Sequence, residues 1–209
     1  MKTTYSLGET VEVGIDEAGR GCFWGPLFAG AVIWPPEEEW TDEHREIAPQ
    51  IKDSKKISEK RRPQVATAIQ GLAIDYGIGA VTAAEIDENG MTWANQEAFR
   101  RALAACSSGL EPGLLLIDGV LGLPEQGVPY ECIPGGDGLY LPIAAASILA
   151  KVGRDTWVKE WCASEDGVTT AAHYDLLSNK GYGTAKHREG LKAHGAHEFH
   201  RKQFIRNWL

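Results

Sequence analysis

Eight consecutive residues, Leu27-Phe28-Ala29-Gly30-Ala31-Val32-Ile33-Trp34, carry neither a charge nor a polar aliphatic side chain, and Pro35-Pro36 ends the run. A stretch of this length without a polar face reads as a strand buried in a sheet, and it needs a partner. Val11 to Ile15 alternates apolar and polar residues and supplies one. Leu114 to Ile117 is a further short apolar strand ending at Asp118-Gly119, and Leu72 to Val81 is strand-like around Gly77 and Gly79. Between these lie helical stretches: Ser58 with Arg61-Arg62 through about 70, and Thr92 to Ala105. Pro142 opens the strongest helix, which runs to about Trp161 behind an Ala-rich start, and a last helix covers Thr184 to His194. The acidic stretch Glu37 to Glu46 reads as an exposed loop or short helix. Strands come first and then alternate with helices, which predicts an α/β fold, a mixed central sheet flanked by helices.

The 209 residues hold no repeat, low-complexity tract or long linker, so one domain over 1–209 is expected, with about 165–209 forming a helical, basic C-terminal part. Nothing approaches a membrane span, and Met1 to Glu9 contains no export signal. The cysteines Cys22, Cys106, Cys132 and Cys162 are widely spaced. They read as reduced thiols of a cytoplasmic protein, with a monomer expected and no obligate protein partner evident.

The net charge of −8 is unevenly spread. Residues 1–50 hold three basic against ten acidic residues, whereas 180–209 hold seven basic against two acidic. A second basic cluster comprises Lys52, Lys55, Lys56, Lys60, Arg61 and Arg62. Local positive charge can hold phosphates on an acidic protein, because salt screens distant charges beyond about 10 Å.

Asp16 and Glu17 follow one apolar strand, Asp118 ends another, and Asp155 lies inside the long helix. A carboxylate at the end of a core strand must be solvated, paired or bound to a cation. If the four converge, their oxygen donors favour Mg²⁺ or Mn²⁺ over zinc, and two such ions can serve phosphodiester hydrolysis. Spacing alone does not establish that they meet.

Their contexts carry a resemblance. Gly14-Ile15-Asp16-Glu17-Ala18-Gly19-Arg20-Gly21 resembles the opening motif of the type 2 ribonucleases H. Asp53-Ser54-Lys55-Lys56-Ile57-Ser58, Ile117-Asp118-Gly119, Ala144 through Asp155, Lys180-Gly181-Tyr182-Gly183-Thr184 with His187, and His200-Arg201-Lys202-Gln203-Phe204 are similar to later blocks in the same order. The match spans about 14–204, and within the family the ribonuclease HII branch fits better than HIII. The resemblance implies a ribonuclease H-like fold, with Asp16, Glu17, Asp118 and Asp155 as catalytic acids and metal ligands for Mg²⁺ or Mn²⁺. The implied substrates are RNA/DNA hybrids and DNA duplexes containing ribonucleotides, cut on the 5′ side to leave 3′-hydroxyl and 5′-phosphate ends, in ribonucleotide removal and primer processing. Gly19, Arg20, Gly21 and Tyr182 are implied to sense the ribose, and Ser54, Lys55 and Lys56 to hold phosphate.

Physically, a Gly-x-Gly backbone can approach a sugar closely, and a tyrosine can pack on it while donating a hydrogen bond. Cys22-Phe23-Trp24 is bulkier than the family's pattern and puts the shape of the ribose pocket in question. The spacing of His194, His197 and His200 does not share one helix face, which favours a structural or phosphate-facing role over zinc. The C-terminus shows no clear sliding-clamp motif. Two rivals stay open: a metal nuclease of related fold, such as a resolvase or integrase core, without ribose selection, and a non-catalytic nucleic-acid binding module.

Overall fold

The computed structural model describes every residue except Leu7 and Glu9. In chain order the elements are β1 (Glu12–Ala18), β2 (Leu27–Ile33), α1 (Asp42–Ile47), α2 (Arg62–Leu72), β3 (Asp75–Val81), α3 (Ala83–Asn89), α4 (Met91–Ala104), β4 (Leu114–Asp118), β5 (Tyr130–Ile133), α5 (Leu141–Ala163), α6 (Gly167–Tyr174), α7 (Leu176–Asn179), α8 (Ala185–His194) and α9 (Lys202–Ile205). The strands form one mixed sheet in the order β3-β2-β1-β4-β5. β1 pairs antiparallel with β2 and parallel with β4. β2–β3 is antiparallel, and β4–β5 is parallel.

The apolar run of β2 is buried at all seven positions, because the sheet is covered on both faces. On one face Val13, Ile15, Ala29, Ala31, Leu115 and Ile117 pack with Ala94, Ala98, Phe99 and Ala102 of α4. On the other, Val32 packs with Val65 and Ile69 of α2 and with Ala144, Ala145 and Ile148 of α5. Helix α5 lies hard against the strands. A Cβ on Gly14 would stand 2.2 Å from the Pro142 carbonyl carbon, and one on Gly30 would stand 2.4 Å from the Ala146 oxygen. Glycine in the strands and alanine in the helix thus set the depth at which α5 sits.

Two details differ from the sequence expectations, the start of β3 and a set of additional elements, while the acidic stretch takes the short-helix form expected as one of its two alternatives. Leu72 closes α2 instead of opening β3, which begins at Asp75, whose carboxylate accepts from the amides of Tyr76 and Ser108. The acidic stretch forms a short 3-10 turn and then α1, started by a capping box between Thr41 and His44. α3, β5, α6, α7 and α9 are additional elements. Helices α6 to α9 gather around Trp24, which is fully buried with Val158, Cys162, Tyr174, Leu176, Leu191 and Ile205. All four cysteines are free, and no helix among the described residues is long and apolar enough to cross a membrane.

Candidate active site

The parallel register pairs Ile15 with Ile117, so β1 and β4 deliver Asp16 and Asp118 side by side at the same end of the sheet. Strand alternation turns both toward α5, since the residues before them, Ile15 and Ile117, face α4. Glu17 points to the α4 face but sits at the strand end, where the two faces merge. A cleft of about 570 Å³ opens there, lined by Asp16, Glu17, Gly19, Arg20, Gly21, Ser54, Lys55, Asp118, Asp137, Ser147, Lys151 and Tyr182.

The cleft crowds negative charge. Asp16 is 6% exposed; burial first, then Glu17 and Asp118, raise its pKa well above the usual carboxylate range, against an opposing hydrogen bond from Ser147. Glu17 is raised by burial, with Arg20 opposing at 3.9 Å. Asp137 is raised by burial and by Asp118 and Asp53, with Lys55 and Lys56 opposing. Its amide donates to Asp118 Oδ1 at 3.3 Å, so the turn before α5 brings a fourth carboxylate to the cleft. In all three, burial is the largest cause, and neighbouring carboxylates add to it.

Asp155 is not among the residues lining this cleft. Its carboxylate receives the Lys151 ammonium at 2.8 Å, one turn earlier on α5, and lies 3.6 Å from Arg62. The structure thus brings Asp16, Glu17 and Asp118 together with Asp137 along the cleft and holds Asp155 just behind Lys151, paired with cations of the chain itself. The Arg62 guanidinium also donates to the carbonyls of Ser54 and Ile57, so Asp155 anchors the base of the Ser54–Lys56 turn. Sequence reading missed Asp137 because it follows a Gly-Gly turn and not a strand. Its one signal is that such a turn immediately precedes the strongest helix. Among the described residues no three carboxylate, imidazole or thiolate side chains already form a ligand cage.

Gly19 has a φ of 89°, and a Cβ there would stand 2.1 Å from Arg154 Nε. Arg154 is fully buried and donates to the carbonyls of Pro26, Lys180 and Trp24, while Arg201, also fully buried, donates to those of Gly19, Arg20 and Gly25. Two guanidiniums thus cross-link the Gly19–Pro26 loop to the C-terminal helices through backbone carbonyls. Tyr182 is carried by the same junction. Cys22 bridges it in antiparallel fashion, the Phe23 amide donates to Gly181, and Lys151 and Arg154 lie 5.7 and 5.9 Å from its ring centre. Cys22, Phe23 and Trp24 do not line the cleft. Trp24 turns into the cluster of Trp157, Trp161, His197 and Phe199, and the Phe23 ring covers Gly183. The bulk of this segment fills the C-terminal core and leaves that wall of the cleft to Gly19–Gly21. Ser54 is buried and bonded to Ser147, Lys55 reaches the cleft, and Lys56 sits outside it, 3.8 Å from Asp53.

The family model for ribonuclease HII matches residues 13–207. The chain belongs to the ribonuclease HII family. It is 40% identical over 204 residues to the ribonuclease HII of Parabacteroides distasonis, covering 98% of this chain and 94% of that one. It is 41% identical over 191 residues to that of Trichormus variabilis, covering 91% and 80%. Among solved structures, the ribonuclease H2 of Pyrococcus horikoshii superposes with a TM-score of 0.72 at 25% identity, covering 94% of this chain and 96% of that one. The ribonuclease HII of Archaeoglobus fulgidus, solved in complex with PCNA, gives 0.71 at 26%, covering 93% and 95%. The ribonuclease HIII called Bst, solved with Mn²⁺, shares the fold at 0.61 and 18% identity, covering 90% and 71%. The chain is a ribonuclease H enzyme with the ribonuclease H-like fold.

Proposed function

We propose that the enzyme hydrolyses the RNA strand of RNA/DNA hybrids and cuts on the 5′ side of ribonucleotides embedded in duplex DNA, with Asp16, Glu17, Asp118 and Asp137 holding divalent cations. The observation that carries the reading is the meeting, in one cleft, of these four carboxylates with the Gly19–Gly21 backbone and Tyr182. The donors are all hard oxygens, with no imidazole or thiolate among them, which fits Mg²⁺ or Mn²⁺. Divalent ions would offset the burial and mutual repulsion that raise Asp16 and Asp137. Bound there, divalent cations supply Lewis-acid charge at the phosphate and ease ionisation of water. Water oxygen bonds to phosphorus, the bond to the O3′ of the preceding nucleotide breaks, and one proton of the water ends on that oxygen.

The chain's own groups select and hold the substrate. Gly19 and Gly21 offer backbone atoms to the 2′-hydroxyl, and the Tyr182 ring packs on the sugar. Lys55, at the head of the turn fixed by Arg62, takes a backbone phosphate, and Lys151 lies between Asp155 and the cleft. Ribonucleotide removal and primer processing in a cytoplasmic setting follow as the expected role. A labelled DNA duplex with one ribonucleotide, incubated with Mg²⁺ or Mn²⁺ beside an all-DNA control, tests this. Cleavage only of the former, 5′ to the ribonucleotide, is expected; equal cleavage of both would favour a nuclease without ribose selection, and binding without product a non-catalytic module.

A further inference from the structure

Asn95 stands on α4 beneath the cleft, 1% exposed. Its neighbours on that helix, Ala94, Ala98 and Phe99, pack against Val13 and Ile15 of β1 in an apolar cluster. Neither its Nδ2 nor its Oδ1 has a hydrogen-bond partner among the described residues. A buried amide with both ends unpaired costs free energy that leucine, of similar volume, would not incur, so packing alone does not account for it. Strand alternation supplies the direction. Val13, Ile15 and Glu17 share the α4 face of β1, and Glu17 is the polar residue that follows them. A Cβ on Gly77 would meet Ala102 and one on Gly79 would meet Ala98, and Gly79 is in register through Ala29 with Glu17, so Asn95, one turn before Ala98, stands over the Glu17 end of the strands.

We infer that Asn95 is a positioning residue for Glu17: its amide N–H donates to one carboxylate oxygen when Glu17 turns its other oxygen into the cleft. Glu17 is the acid whose strand position turns it to the α4 face, so it enters the cleft from the opposite side of the strand to Asp16 and Asp118. It therefore needs a fixed donor on that face to hold one rotamer. Arg20, the other group opposing its charge, is exposed, 3.9 Å away, and carried by the substrate loop, so it cannot serve as a fixed anchor. The inference rests on the proposed role of Glu17 as a cation ligand.

Two substitutions separate positioning from packing. Asn95→Leu keeps the volume and removes both unpaired polar atoms, whereas Asn95→Ala removes them and leaves a cavity, so their thermal stabilities should move in opposite directions. Both should lower kcat on the single-ribonucleotide duplex about tenfold or more and leave KM near the wild-type value. Both should also weaken Mn²⁺ binding, measured by calorimetry without nucleic acid. If kcat and Mn²⁺ affinity of Asn95→Leu match wild type, or if activity simply follows stability across the two variants, the inference is overturned. Wild-type protein assayed in parallel separates the two levels: failure of the wild type to cut or to bind Mn²⁺ would refute the proposed function itself.

Discussion

Lowering the pH from 7 to 5 should destabilise this protein through two imidazoles outside the acidic cleft. His187 and His200, 0% and 1% exposed, face each other Nε2 to Nε2 at 2.9 Å. The His187 Nδ1 sits 3.0 Å from the Tyr182 carbonyl, so it carries the proton, and its Nε2 must accept. His200 then donates from Nε2, and its Nδ1 accepts from the His197 amide at 2.9 Å. All four nitrogens are satisfied only when both rings are neutral. Burial depresses His187 to about 4, and burial with the His187 and His197 charges depresses His200 to about 3. An unfolded histidine titrates near 6.5, so between that pH and the folded values the unfolded chain binds more protons, and stability falls as the pH drops. At pH 5 each ring costs about 2 kcal/mol relative to pH 7. The raised carboxylates Asp16 and Glu17 act in the opposite sense, so a difference measurement is required. His200→Gln can accept and donate in the same two directions without titrating. Urea unfolding at pH 7 and pH 5 should show wild type losing about 2 kcal/mol more than the variant. Equal losses, or ring ¹⁵N shifts showing either wild-type histidine protonated at pH 5, would refute the tautomer assignment.

Asp118→Asn should abolish cleavage while leaving thermal stability unchanged or higher, because it removes one charge from a crowded cluster; retained activity would take Asp118 out of the mechanism. Gly19→Ala should destabilise by about 2 kcal/mol or more, from its positive φ and the clash with Arg154, read as a lowered Tm; unchanged stability would contradict the loop geometry. Tyr182→Ala should reduce kcat/KM on the single-ribonucleotide duplex by about tenfold or more without altering unfolding by urea; an undiminished kcat/KM would remove Tyr182 from the substrate face.

Much of this architecture was legible from residue pattern. The uninterrupted β2 run and the alternation before Asp16 located the two strands that present the acids, and Pro142 with its alanines located α5. What escaped notice did so for identifiable reasons. β5 is four residues long and half exposed, so it shows little periodicity. α3 is announced by Thr82 and Glu85, a capping box that lies beside the strand signal of Leu72 to Val81. At the site, the sequence blocks resembled the family as blocks, and an acid at the end of one block, Asp155, was read as a ligand because of its company. In the fold, Lys151 and Arg62 pair with Asp155, whereas the amide of Asp137, in the preceding turn, donates to Asp118 and its carboxyl lines the cleft. Long-range pairing of this kind depends on which helix face meets which loop, and no local spacing encodes it. The Cys22-Phe23-Trp24 segment illustrates the converse, since its bulk is directed by the C-terminal helices and not by the cleft.

Asp16, Glu17, Asp118 and Asp137 are the carboxylates proposed to gather the cations, with Asp155 held apart by Lys151 and Arg62. Mn²⁺ binding by calorimetry to Asp137→Asn and Asp155→Asn, with folding verified by circular dichroism, tests this assignment directly. Asp137→Asn is expected to lose about tenfold or more in affinity, while Asp155→Asn is destabilised by about 3 kcal/mol or more yet, where folded, binds Mn²⁺ nearly as wild type. Wild-type affinity in Asp137→Asn together with lost binding in folded Asp155→Asn would contradict it.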